Sequence, residues 1–425
     1  MSGAVESGTL ATIREQAALR FRQLGWPSPK LEEWQYTSLA PLQKRYESGF
    51  ARAESVPQTV ETHGFSMEGR AVAELVFWNG RPVGSRRAGE GAGADRAPAL
   101  SVYATDDDTD PIVAKYFAKY ADHQRHPLTA LNTANATAIA IVEAREPVEG
   151  FVHILRLGED GYESHPRTIV FAAPGSQIVV VETFAGSGTY FTNAVTEIVA
   201  AGGAVVDHYK IECESDGAFH IGTVQIHQER SSSVTQRCIS FGGGLVRNEV
   251  NVRLAGEGAS VVLDGLYVAG GSQHIDNQTT VDHAVPRCES LELYKGVLDG
   301  SSRGVFDGRI IVRPDARKTV SRQTNHNLIL SETAIVDSKP TLEIHNDDVK
   351  CHHGSTIGRL DEEALFYLRS RGIGEEEARG LLVLAFAGEI IDRMKVEPVR
   401  EQARRMMFRQ MPARLPERRN GGRTP

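Results

Sequence analysis

The sequence predicts a mainly β protein, a β-solenoid core set between helical segments at its two ends. Three observations carry that reading. Between about residues 151 and 350, short β-rich runs alternate with turn residues and no long amphipathic helix interrupts them. Within that stretch, turn-forming residues recur at a fixed interval. Helical spacing of apolar residues is confined to the two flanks.

The interval is measured from small residues that precede similar strand starts. Ser176, Ala204, Ser232, Ala259, Cys288 and Ala316 are separated by 28, 28, 27, 29 and 28 positions. Two residues after the first four stand Ile178, Val206, Val234 and Val261, whereas Ser290 and Lys318 break the pattern. A fixed period in this range marks a stacked architecture in which each coil buries its apolar face on its neighbours. A β-sandwich with evenly spaced loops is the competing reading.

The N-terminal part, residues 1–150, reads as a mixed and largely helical subdomain. Leu10, Ile13, Ala17, Leu19, Phe21 and Leu24 lie at near-helical spacing, and Gly25-Trp26-Pro27 stops that helix. Leu75-Val76-Phe77-Trp78 before Asn79-Gly80 reads as a strand entering a tight turn. Gly84 to Pro98 is a surface loop by composition, and a short helix is expected from Pro111 to about Tyr120. Residues 151–358 form the repeat core.

Residues 359–400 are expected to be helical. Asp361 is a plausible N-cap, Gly372 a C-terminal stop, and Glu375-Glu376-Glu377 opens a second helix. The apolar surface of that second helix, with Leu381, Leu382, Leu384, Phe386, Ile390 and Ile391, is wide enough to pack on the core or meet a partner. The remainder, 401–425, reads as a basic, flexible tail.

Composition excludes several functions. A formal charge of −8 and a pI near 6.0 argue against general nucleic-acid binding. No window approaches the roughly 20 apolar residues of a membrane span, and the first residues lack an apolar signal core. Four cysteines with no C-x-x-C pair rule out a disulfide framework or a self-contained iron–sulfur site, and fit a reducing cytoplasm. Gly300-Ser301-Ser302-Arg303-Gly304 spells a nucleophile elbow, but a β-run follows where a helix is required.

The densest chemistry lies in Asp347-Asp348-Val349-Lys350-Cys351-His352-His353-Gly354. In an extended segment Cys351 and His353 share one face and His352 takes the other. Thiolate with imidazole suits iron or zinc, and two such ligands leave a site that others must complete. A buried cysteine beside surface histidines is the plainer reading of the same residues. Cys213, Cys238 and Cys288 fall on β-runs and read as core filling.

Ordered motifs from Tyr294 to Phe386 then point to a family. Tyr294-Lys295-Gly296-Val297-Leu298, Phe306-Asp307-Gly308-Arg309-Ile310-Ile311-Val312, Asn325-His326-Asn327-Leu328-Ile329-Leu330 and Lys339-Pro340-Thr341-Leu342-Glu343-Ile344 closely resemble the SufB/SufD family of iron–sulfur cluster assembly proteins. The Cys351 segment and Leu365-Phe366-Tyr367-Leu368-Arg369-Ser370-Arg371-Gly372 extend the match. Gly354 follows His353 where the SufB branch carries Glu, and Asn325 stands where that branch has Cys, so the chain looks like the SufD branch.

The resemblance implies a right-handed parallel β-helix and a non-catalytic scaffold subunit. It implies a SufB-like paralogue as heterodimer partner and a SufC-like ABC ATPase docked on the C-terminal helical region, at Phe366, Tyr367, Leu368 and Arg371. His353 and Cys351 would meet iron or a transient iron–sulfur cluster at the paralogue interface, with His352 outside the set. ATP enters only through the ATPase, and the sequence is silent on a flavin. Two other readings stay open: a β-helix lyase or hydrolase acting on polysaccharide, and a homodimeric scaffold.

Overall fold

A computed structural model describes residues 9–83 and 98–410. The loop expected over Gly84 to Pro98 lies outside these residues apart from Pro98, as do residues 411–425 of the expected tail.

The repeat is a parallel β-solenoid. Its strands alternate between two sheets, so each coil contributes one strand to each. One sheet stacks Val152–Gly158, Gln177–Gly186, Val205–Cys213, Ser233–Ser240, Ser260–Ala269, Glu289–Leu298, Val320–Ile329 and Lys350–Gly358. The other runs from Ile139–Ala144 through Arg167–Ala172, Phe191–Ala200, Phe219–Gln228, Leu245–Leu254, His274–His283 and Arg303–Val312 to Ile335–Ile344. Antiparallel partners close the first end: Arg81–Pro82 pairs Ala73–Trp78, and Leu100–Thr105 pairs Ile139–Ala144.

The corner between sheets explains the period. The residue before each small anchor is left-handed: Gly175 (φ 73°), Gly203 (71°), Ser231 (56°), Gly258 (74°) and Arg287 (59°). That turn drops the following side chain, Ser176, Ala204, Ser232, Ala259 or Cys288, into the fully buried corner. In the next coil the left-handed residue is Lys318 (60°), so the corner is Thr319 and not Ala316 as the even spacing suggested. The coil is three residues longer there, and this is why Lys318 broke the pattern.

Strict register then stacks like on like. Ile178, Val206, Val234 and Val261 occupy one inward column across four strands and are buried in the central apolar cluster. Burying each such side chain stabilises the fold by about 1.5–3 kcal/mol.

Helices close the flanks. Leu10–Leu24 starts on the Thr9 cap, and Arg14 Nη2 ties it to the Ala136 carbonyl at 2.7 Å. The helix from Pro111 ends at Tyr116, because Ala118 turns left-handed (φ 54°) and gives its N–H to Glu197. Two further helices, Ala40–Glu47 and Pro127–Asn135, add to those expected from the sequence.

At the other end Asp361 caps Glu362–Ser370 by accepting from the Glu363 and Ala364 N–H groups. Gly372 (φ 87°) follows that helix's last turn. Glu375–Asp392 packs its apolar face on the solenoid: Ile390, Ile391 and Met394 join Tyr209, Ile239, Phe241 and Leu266 in one cluster. The chain stays helical through Glu397–Gln410, past residue 400 where the sequence reading began a tail. Val399, Ala403, Met406 and Met407 recur there at helical spacing and are buried, so the basic residues are the outer face of a docked helix.

Candidate metal centre

Cys351 and His353 stand on Lys350–Gly358, the last strand of its sheet. Register gives their direction. Cys351 pairs with Ser321, His353 with Gln323, and Ser355 with Asn325. Ser321, Gln323 and Asn325 are buried and face the solenoid interior, while their alternates Val320 and Arg322 are exposed. In-register neighbours of a parallel pair share a face. Cys351 and His353 therefore line the mouth of the lumen, and His352 lies beside Arg322 on the outer face.

The two donors differ in cover. Cys351 is half-buried against Ile310, Val312 and Ala316, and burial pushes its thiol above the usual range. His353 is exposed at the open end. The neighbouring carboxylates turn away: Asp348 accepts from Lys318 Nζ at 2.9 Å in the preceding turn, and Asp347 is exposed.

Behind each donor runs an inward column: the one behind Cys351 turns polar near this end, while the one behind His353 is already polar at His208 and Gln236. Behind Cys351, Ser321 and Ser290 replace the valines of earlier coils, and their hydroxyls are 2.8 Å apart. Ser290 also meets His283 Nε2 at 2.9 Å. Burial holds His283 down at about 4, as a neutral imidazole. Behind His353 stand Gln323 and Glu292, in register with Leu263 of the coil before. Gln323 Nε2 donates to Glu292 Oε2 at 2.7 Å. Burial without a cationic partner raises that carboxyl to about 7, against the opposing hydrogen bond from Gln323.

Asn325 is fully buried in a third column. It accepts from Asn327 Nδ2 at 2.6 Å and from Ser338 Oγ at 2.8 Å, and Ser338 reaches Ser355 Oγ at 2.8 Å. The inward positions of Ser321, Gln323 and Glu292 are not evident in the sequence. The signal nearest them is Ser290, which breaks the apolar repeat.

The other cysteines and histidines serve the scaffold. Burial raises all three remaining thiols, Cys238 to about 12. His208 Nε2 meets Glu182 at 3.0 Å, and His220 lies between Glu212 and Glu214. His227 stacks on Tyr120, and His274 Nε2 is 2.9 Å from Thr37. They form separate pairings. Gly300–Gly304 is a corner that leads into the strand Arg303–Val312, as the elbow argument required.

Among the described residues, no three His, Cys, Asp or Glu side chains are grouped to hold a metal ion. Cys351 and His353 supply a thiol and an imidazole on one face. Such a donor set fits iron or a cluster whose other ligands come from a second molecule.

Comparison with known proteins decides the family. A profile described as "SUF system FeS cluster assembly, SufBD core domain" matches residues 155–386, and "SufBD protein N-terminal region" matches residues 4–142. The chain belongs to the SufBD family. The SufBD core match contains the Cys351 strand and the helix bearing Phe366. The iron–sulfur cluster assembly protein SufD of Escherichia coli is 30% identical over 409 residues, covering 93% of each chain. A SufBD family protein of Synechocystis is 30% identical over 434 residues, covering 95% of this chain and 92% of its own. One from Mycobacterium leprae is 40% identical over 236 residues, 54% of this chain and 59% of its own. No helix among the described residues is long and apolar enough to cross a membrane.

Proposed function

We propose that this SufBD protein is a non-catalytic scaffold subunit that pairs end to end with a SufB-like paralogue and supplies Cys351 and His353 to a shared iron or nascent-cluster site. One observation carries the reading: the thiol and the imidazole sit side by side at an uncovered sheet end. The strands Ile335–Ile344 and Lys350–Gly358 are terminal in their sheets, and each pairs on one side alone among the described residues. Free edges of nine or ten residues template further strands. Ile335, Ile344 and Ile357 are exposed there, adding apolar area that a partner would bury.

A SufC-like ABC ATPase docks on the helix Glu362–Ser370. Phe366 is 73% exposed and Tyr367 57%, Leu368 is half-buried, and Arg371 stacks over Tyr367 at 5.1 Å. Exposed aromatics beside an arginine are the side chains that anchor protein interfaces. ATP acts through that ATPase. The complex works in the cytoplasm, where all four cysteines, free in the structure, stay reduced.

The test is reconstitution of cluster assembly in the purified three-component complex. The double variant Cys351→Ala, His353→Ala should assemble intact and yield little cluster. A wild-type yield would remove the site.

A further inference from the structure

The column behind His353 carries an unanswered hydrogen-bond group. Gln323 is buried, and its Nε2 is spent on Glu292 Oε2 at 2.7 Å. Its Oε1 is buried and has no hydrogen-bond partner. Buried polar atoms are nearly always satisfied, so this acceptor, unpartnered like Glu292 Oε1 beside it but next to the open end, points to a donor that arrives in another state of the molecule. The adjacent inward side chain on the lumen-mouth side is His353, in register on the neighbouring strand about 4.8 Å away.

We propose that Gln323 and Glu292 are positioning residues for His353. The Gln323 Oε1 accepts one ring N–H of His353, leaving the other ring nitrogen as the metal donor, and Glu292 fixes the Gln323 amide so that its oxygen faces the ring. The metal role rests on the site proposed above; the ring orientation does not. Metal-binding histidines commonly give their second N–H to a carbonyl or carboxylate, which sets tautomer and angle. The chemistry of the column fits that use. An apolar side chain at 323 would fill the interior as Leu263 does two strands earlier, but it could not choose a tautomer.

The tautomer is read directly in the full chain by long-range proton–nitrogen spectra of ring-labelled histidine, with His353→Ala identifying the signal. Wild type should show one neutral tautomer of His353. Gln323→Leu should show both, in the mixture of free imidazole, and Gln323→Glu, which keeps an acceptor, should restore one. Gln323→Asn withdraws the amide by one methylene and replaces the leucine variant if that does not fold; it too should show both tautomers. A mixed wild type, an unchanged leucine or asparagine variant, or a glutamate variant that fails to rescue overturns the proposal.

In the assembled complex Gln323→Leu should weaken iron binding about 10–100-fold. If His353→Ala proves harmless to cluster assembly while the tautomer follows residue 323, the iron site fails and the orientation stands.

Discussion

The Ser290 and Ser321 hydroxyls lie 2.8 Å apart, directly behind Cys351 in an inward column that is Ile178, Val206, Val234 and Val261 in earlier coils. The solenoid does not need polar groups there, since valine satisfies the same position in three coils. The change of chemistry in this column falls in the two strands that back Cys351, whereas the column behind His353 is polar in earlier coils too, at His208 and Gln236.

Thiol accessibility should follow this geometry. Cys351 is half-buried at the mouth, whereas Cys238 and Cys288 are enclosed and Cys213 is packed against Met406. Brief alkylation of the native chain, read by mass spectrometry, should modify Cys351 first. The other three should react only after denaturation.

Two buried carboxylates give opposite pH dependence. Burial raises Glu292 to about 7 from 4.5. The folded state then holds the proton more tightly, so this group's stabilisation is complete below pH 4.5 and is lost as pH rises to about 7. Glu292→Gln cannot ionise, so its stability relative to wild type should improve by roughly 3 kcal/mol between pH 4.5 and 7.5. Burial alone would also raise Glu182, but hydrogen bonds from His208 and Thr168 and the charge of Arg156 bring it down to about 2. Its contribution is present above pH 4.5 and is lost as pH falls toward 2. Denaturant midpoints across this range measure both effects.

Glu197 joins the N-terminal subdomain to the solenoid. It is fully buried, accepts the N–H groups of Ala118, Tyr120 and Ala121, and pairs with Arg167. Glu197→Ala leaves the buried Arg167 guanidinium without its counter-charge and three N–H donors without an acceptor. It should destabilise the fold by about 3–5 kcal/mol in equilibrium unfolding.

Surface variants should separate docking from folding. Removing everything after Gly372 would strip the helices that cover Tyr209, Ile239, Phe241 and Leu266, so truncation disturbs the core itself. Phe366→Ala with Tyr367→Ala touches exposed side chains. It should leave the unfolding midpoint within about 0.5 kcal/mol of wild type and abolish ATPase co-purification.

Much of this was legible in the chain. The period, the strand starts and the Asp361 cap follow from local chemistry: a left-handed corner needs a permissive residue, and a cap needs an oxygen. The alternation that separates Cys351 and His353 from His352 is equally local. What stayed hidden depends on register across coils. Thr319 replaces Ala316 as a corner because one turn is three residues longer, as the left-handed Lys318 and the strand pairing Ser290–Ser321 show. Likewise Gln323, Glu292 and Asn325 are ordinary polar residues in sequence. They become part of the site when stacking sets them behind residues some 30 positions away. The basic stretch after residue 400 misled because charge was weighed over the buried spacing of Val399, Ala403, Met406 and Met407.

The central claim is that His353 meets iron at the paired solenoid end. Mössbauer spectroscopy of the anaerobic complex with its SufB-like and SufC-like partners, loaded with labelled iron, tests it most directly. The wild-type complex should show a cluster or iron signal that His353→Ala loses or alters in isomer shift. Identical spectra at equal iron content would contradict the account.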